Sequence, residues 1–150
     1  MKLKIPPIVV MFIFGLGMYL LAKFSPIGYF DFYGRLPLAK TLVGIMVFVL
    51  LVSTFQFLKA RTSIDPIKPD KVTSLVTSGI YKYSRNPMYL AMLLVLLAWG
   101  LYLGNAFNVL LAAGFVSFIN TTQIKLEEGV LGKKFGKDYT LYRKKARRWF

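Results

Sequence analysis

Glu127 and Glu128 are adjacent carboxylates placed just after a long apolar run, with Gln123 one helical turn before Glu127. Ionisable groups at a membrane edge that face inward usually have a functional partner. Neighbouring helical positions point about 100° apart, so only one of the two acids faces a bundle interior easily. Glu127, in register with Gln123, is assigned that role, and Glu128 is read as solvated among nearby lysines. A second stretch with chemical content is residues 75–89, polar, basic and punctuated by Gly79 and Pro87. Gly79 can take a positive φ, while Pro87 suits the first turn of a helix and steers Asn86 out of the helical region. The stretch therefore reads as a shaped loop delivering Tyr81, Arg85, Asn86 and Tyr89 to the mouth of a helix. Arg85 can pair with an acid, a phosphate or a ligand carboxylate, or reach toward lipid headgroups. The chain has no cysteine and no histidine, which removes thiolate chemistry, the commonest general base and the usual metal ligand. No metal cluster, nucleotide-type glycine loop or nucleophile–base pair is visible, so the chemistry expected here needs little proton shuttling.

The elements that must position these groups are membrane helices. Of 150 residues, 56% are hydrophobic, and they fall into four blocks, residues 8–24, 38–58, 88–103 and 106–124. Most approach the ~20 residues that span a bilayer, and none has the polar face a soluble helix needs. The first block follows Lys2 and Lys4; it is longer than a signal-peptide core and lacks a small-x-small site, so it reads as a retained helix. The third block, about 16 residues or roughly 24 Å, is short, so its helix starts earlier, near Tyr83, or the membrane thins around it. A very short turn near 103–106 makes blocks three and four an antiparallel hairpin. Asp65–Pro66 and 68–70 are turn signals. Residues 25–37, rich in aromatics, Gly and Pro, suit an interfacial belt. After residue 124, Leu126, Val130, Leu131, Phe135, Tyr139 and Tyr142 outline a basic amphipathic element on the membrane surface. The formal net charge is +14, concentrated in 59–87 and in the tail, which places the amino terminus, that segment and the tail in the cytoplasm. The charges flank spans, so anionic lipid heads are the expected partners and nucleic acid is not. The expected architecture is an all-α polytopic membrane protein of about four transmembrane helices, including a C-terminal hairpin, with a cytoplasmic interfacial tail. It forms one domain, 1–150, in which 1–58 supply two helices and 59–150 the core.

The run 75–81, then Arg85-Asn86-Pro87-Met88-Tyr89, a helical hairpin, Glu127-Glu128, Leu131, Phe135-Gly136, Tyr139 and Tyr142 resembles the isoprenylcysteine carboxyl methyltransferase family, whose relatives include phospholipid methyltransferases. The resemblance covers about residues 62–150. It implies an S-adenosyl-L-methionine-dependent enzyme whose cofactor lies in the cytoplasmic end of the bundle under the C-terminal segment. By position it implies cofactor contacts from Thr73, Ser74, Leu75, Val76, Tyr81, Asn86, Pro87, Met88, Tyr89 and Glu127, with Arg85 and Gln123 toward substrate. Two positions depart from the family: Arg-Asn-Pro stands where Arg-His-Pro is usual, and Gln123 stands where a catalytic arginine falls in prenylcysteine methyltransferases. Asn86 still donates and accepts hydrogen bonds, but Gln123 has no charge for a prenylcysteine carboxylate. The implied acceptor is thus a lipophilic small molecule or lipid, methylated on O, N or S. The catalytic residue, the acceptor and the oligomeric state are not readable. Three alternatives stay open: prenylcysteine itself as substrate, an NADPH-dependent sterol-reductase-like enzyme, and a non-enzymatic scaffold for anionic lipid. A prokaryotic cytoplasmic membrane, with both termini and the site loop inside, completes the expectation.

Overall fold

A computed structural model describes residues 5–25, 27–60 and 73–150. The turn signals at 65–70 and the basic residues from 61 to 71 lie outside the described residues, as do Lys2 and Lys4. The order is α1 (Pro7–Phe24), α2 (Arg35–Lys59), a 3₁₀ turn (Gly79–Lys82), α3 (Pro87–Leu103) and α4 (Asn108–Ile119). A π-helical segment (Asn120–Ile124) then leads without a break into α5 (Lys125–Lys145). The fold is all-helical; among the described residues there is no strand, only two isolated bridges.

Prolines set the helix starts. Pro7 and Pro87 each occupy the first turn, where a missing N–H costs nothing. Asn86, held at φ −132° and ψ 57°, shows the pre-proline restriction at work. The helix therefore cannot extend back to Tyr83, and the 3₁₀ turn stands there instead. Among the described residues three helices are long and apolar enough to cross a membrane: α1, α2 and the rod Asn108–Lys145; α3, at 17 residues, is shorter. Gly104, at φ 67°, ends α3, and α4 begins at Asn108, two residues later than its apolar block.

The short helix is the central one. It packs against α1, α2 and α4 and buries Tyr89, Ala91, Leu93, Leu96, Ala98 and Gly100. Phe115, wholly buried, meets Phe14 edge-on at 5.8 Å between ring centres. By contrast Phe12, Phe48 and Phe55 are about two-thirds exposed, at 67%, 65% and 66%. So much apolar surface facing outward is stable only against lipid, and the protein is an integral membrane protein.

At one end of the bundle the 25–34 and 104–107 turns interlock: Asn105 Nδ2 donates to the carbonyls of Ser25 (3.0 Å) and Ile27 (3.3 Å). At the other end α1 begins, α2 and α4 finish, and the loop before α3 meets α5. Gly136, at φ 50°, breaks α5 and lets its last two turns fold onto that loop.

Candidate functional site

The loop 73–86 is held by a tyrosine cluster. Leu75, Val76 and Ile80 pack against Tyr81, Tyr139, Tyr142 and Ala146, with Phe57 of α2 and Leu131 and Phe135 of α5 around them. Tyr81 is only 4% exposed and meets the Phe57 ring edge-on at 5.2 Å. Its backbone carbonyl accepts the Tyr142 hydroxyl at 2.7 Å. The Tyr81 hydroxyl itself is buried with no partner among the described residues; burial, then the neighbouring Tyr142, push its pKa up, so it stays a neutral donor. Ser74 Oγ donates to the Ala60 carbonyl at 3.1 Å, tying the loop to the end of α2; Thr73 stands at its exposed start.

The chain then pairs with its own tail. The Arg85 amide donates to the Arg147 carbonyl (2.8 Å) and the Arg147 amide to the Tyr83 carbonyl (3.2 Å), one rung of parallel pairing. Asn86 Nδ2 donates to the Arg148 carbonyl at 2.8 Å. Pro87 is buried, Met88 half-buried, and Tyr89, 5% exposed, donates its hydroxyl to Glu127. Glu128 accepts Arg148 in a fork, Nε at 3.0 Å and Nη2 at 2.7 Å, and Arg85 Nη2 approaches it to 3.1 Å. Hydrogen bonding to Glu128 outweighs partial burial and holds the Arg148 guanidinium more firmly protonated. Trp149 Nε1 donates to Asn120 Oδ1 at 3.1 Å, closing the tail against the π segment.

The reading of Glu128 as a solvated charge is corrected: its side chain is 10% exposed and pairs with two guanidinia. The cause is the turn at Ala146, whose extended backbone (ψ 138°) brings Arg148 back over α5, a closure that no local spacing announces. Arg148, Trp149 and Asn120 were likewise invisible as site residues; their pairings span 20 to 62 residues of chain. Gln123, 1% exposed, donates Nε2 to the Ile5 carbonyl at 2.9 Å while its Oε1 is buried without a partner among the described residues. Its amide thus braces the entry of α1, while Glu127 addresses Tyr89.

The structure brings together Arg85, Asn86, Tyr89, Glu127, Glu128 and Arg148 where polar chain meets apolar bundle, and packs Tyr81 in the separate tyrosine cluster. With carboxylates, guanidinia and neutral phenols but no imidazole or thiol, such a place binds and orients a polar ligand better than it shuttles protons.

The profile of the family described as phospholipid methyltransferase matches residues 35–138, so it takes in α2 as well as the region carrying the resemblance. An uncharacterized protein of Haemophilus influenzae is 50% identical over 62 residues, which are 41% of this chain and 98% of that protein. The protein-S-isoprenylcysteine O-methyltransferase of Schizosaccharomyces pombe is 37% identical over 79 residues, 53% of this chain and 34% of that enzyme. The chain thus spans about a third of the length of the named enzyme it matches. No solved structure matches. With the match covering most of the chain and running through the loop, the hairpin and both acids, this protein belongs to the phospholipid methyltransferase family of membrane methyltransferases.

Proposed function

We propose that the protein is an S-adenosyl-L-methionine-dependent methyltransferase acting on a lipophilic small molecule or lipid, with residues 59–150 as its core. The observation that carries this is the double brace of α3 and the residues before it on α5, Tyr89 to Glu127 and Arg85 to Glu128, which gathers polar groups at the end of a lipid-facing bundle. The residues fit such a cofactor: the Tyr81 hydroxyl, two nitrogens of Arg85 and Gln123 Oε1 are buried polar atoms with no partner among the described residues, and buried polar groups are rarely left so.

When bound, the cofactor supplies a methyl group already activated on a sulfonium, so the protein's task is alignment and exclusion of water more than acid–base help. Tyr81, Asn86, Tyr89 and Glu127, with Thr73, Ser74, Leu75, Val76, Pro87 and Met88 around them, hold and orient the donor. The tail 146–149 covers the loop and keeps water out. A groove of about 400 Å³ runs along the exposed side of α2, lined by Leu51, Val52, Phe55, Gln56, Lys59 and Ser78. It ends one residue before Gly79 and suits an acceptor arriving sideways from the bilayer. Gln123, uncharged and turned to Ile5, favours an acceptor other than a prenylcysteine carboxylate. In this reading both termini and the loop face the cytoplasm, where the donor is found.

The test is calorimetric binding of S-adenosylhomocysteine to the detergent-purified protein, with Glu127→Gln and Tyr89→Phe alongside. Saturable wild-type binding, weakened several-fold by both substitutions in folded protein, is expected. A well-folded wild type that does not bind would sink the proposal.

A further inference from the structure

The rung that joins the loop to the tail lies at the rim of the apolar bundle. Arg85 stands just before Pro87, where α3 begins, and Trp149 bonds Asn120, the residue that follows α4. Trp149 also packs against the core cluster that holds Tyr89, Phe115 and Ile119. The tail is thereby pinned where apolar helices give way to polar chain, which in a membrane protein is the level of the lipid headgroups.

This rim exposes two kinds of side chain. Tyr83 and Phe150 are each 75% exposed. Lys82 and Arg147 are exposed too, and neither has an ion-pair partner among the described residues. The nearby acids are committed elsewhere: Glu128 holds Arg85 and Arg148, and Glu127 holds Tyr89. Asp138, exposed on α5, pairs with neither cation. Arg143 and Lys144, exposed in the last turn of α5, add charge of the same sign. Aromatic rings beside unmatched cations at headgroup depth suit anionic lipid, the rings lying among the headgroups and the cations meeting the phosphates. An acidic protein would find the same cations, but at this depth the bilayer is already the neighbour.

We infer that Lys82, Tyr83, Arg147 and Phe150 form a docking surface for anionic phospholipid headgroups, and that docking holds the tail closed over the loop. The backbone makes the link. Arg147, whose side chain is presented outward, donates its amide to the Tyr83 carbonyl and accepts the Arg85 amide on its own carbonyl. The next carbonyl, that of Arg148, accepts Asn86. A phosphate that holds the Arg147 side chain therefore steadies the rung and the bond beside it. Closure of the site then responds to the charge of the membrane, whatever the methyl acceptor is.

The test places the whole chain in nanodiscs of phosphatidylcholine alone, or with about one-third phosphatidylglycerol. It reads amide hydrogen exchange at Arg85 and Arg147, the two donors of the rung, with the α3 core as internal reference. Both amides are expected to exchange at least about threefold more slowly in the anionic discs, and salt at about 0.5 M should erase the difference. Lys82→Gln combined with Arg147→Gln should exchange within about twofold of wild type in neutral discs, which certifies the fold, and should lose the response to phosphatidylglycerol. Lys23→Gln, at the opposite end of the bundle, should keep it. Equal rates for wild type in the two discs would overturn the inference and leave the patch to solvent or to an acidic protein. A response that survived the double substitution, or that Lys23→Gln also abolished, would overturn it as well, because the lipid effect would then not belong to this patch. None of these readouts involves a methyl donor, so their failure would leave the proposed function standing.

Discussion

Replacing Glu128 by Gln removes one charge and almost no volume, and the structure says where the cost falls. The carboxylate accepts Arg148 through two hydrogen bonds at 3.0 and 2.7 Å and stands 3.1 Å from Arg85. Arg85 is 10% exposed and Arg148 32%. Breaking a buried pair costs about 3–5 kcal/mol because a desolvated charge is left alone, whereas an exposed pair contributes about 0–1 kcal/mol. Arg85 belongs to the first case and Arg148 lies nearer the second. A glutamine oxygen still accepts one of the bonds, so the expected destabilisation is about 2–3 kcal/mol. Arg148→Gln, which leaves the buried Arg85–Glu128 pair intact, should cost about 1 kcal/mol. The assay is reversible unfolding in mixed micelles, with amide hydrogen exchange on residues 83–86 and 146–149 as the local readout. Glu128→Gln should open both segments together, because the rung between Arg85 and Arg147 loses the clamp beside it. If Glu128→Gln unfolded within about 0.5 kcal/mol of wild type, the range of ordinary surface substitutions, Glu128 would not hold the tail and the account of the site's closure would fail.

Two further outcomes follow from the loop. Gly79 sits at φ +59°, and a Cβ there would run into the Gln56 side chain; Gly79→Ala should cost about 1–2 kcal/mol for the left-handed backbone alone, with the collision on top, and Gln56→Ala in the same chain should recover only the collision. Tyr142→Phe removes a buried bond to the Tyr81 carbonyl and should cost about 1 kcal/mol, whereas Tyr81→Phe, whose hydroxyl has no partner among the described residues, should unfold like wild type; the same titration reads both, and the reverse order would contradict the packing described.

Much of this was legible because it is local. Apolar blocks of this length without a polar face read as membrane helices, and Pro87 after Asn86 marks the start of α3, which the shortness of its apolar block had left open toward Tyr83. Local spacing misleads where a global closure overrides it. The π segment is one such place. Thr121 Oγ1 bonds the Ser117 carbonyl at 3.0 Å and Thr122 Oγ1 the Phe118 carbonyl at 2.7 Å, back-bonding of the kind that loosens a helical ladder. The cluster Asn120-Thr121-Thr122-Gln123 at the end of an apolar helix is, in hindsight, the available signal. The tail is the other. Nothing in Arg147-Arg148-Trp149 says that these residues turn back, and a basic terminus ordinarily reads as a solvated or lipid-facing run.

The two acids show why this matters. Neighbouring helical positions point about 100° apart, an angle that on spacing alone turns Glu127 inward and leaves Glu128 to solvent. The protein uses the angle itself. Glu127 addresses Tyr89 on α3, while Glu128 addresses Arg85 just before α3 and Arg148 from the returning tail, so two directions on α5 meet partners arriving from two directions in the chain. One acid holds the tyrosine of α3 and the other the arginine just before it. That division needs Arg148, which lies beyond the stretch matched by the family profile, so no short motif contains both pairings. The loop residues reach their arrangement only with residues 146–149 laid across them.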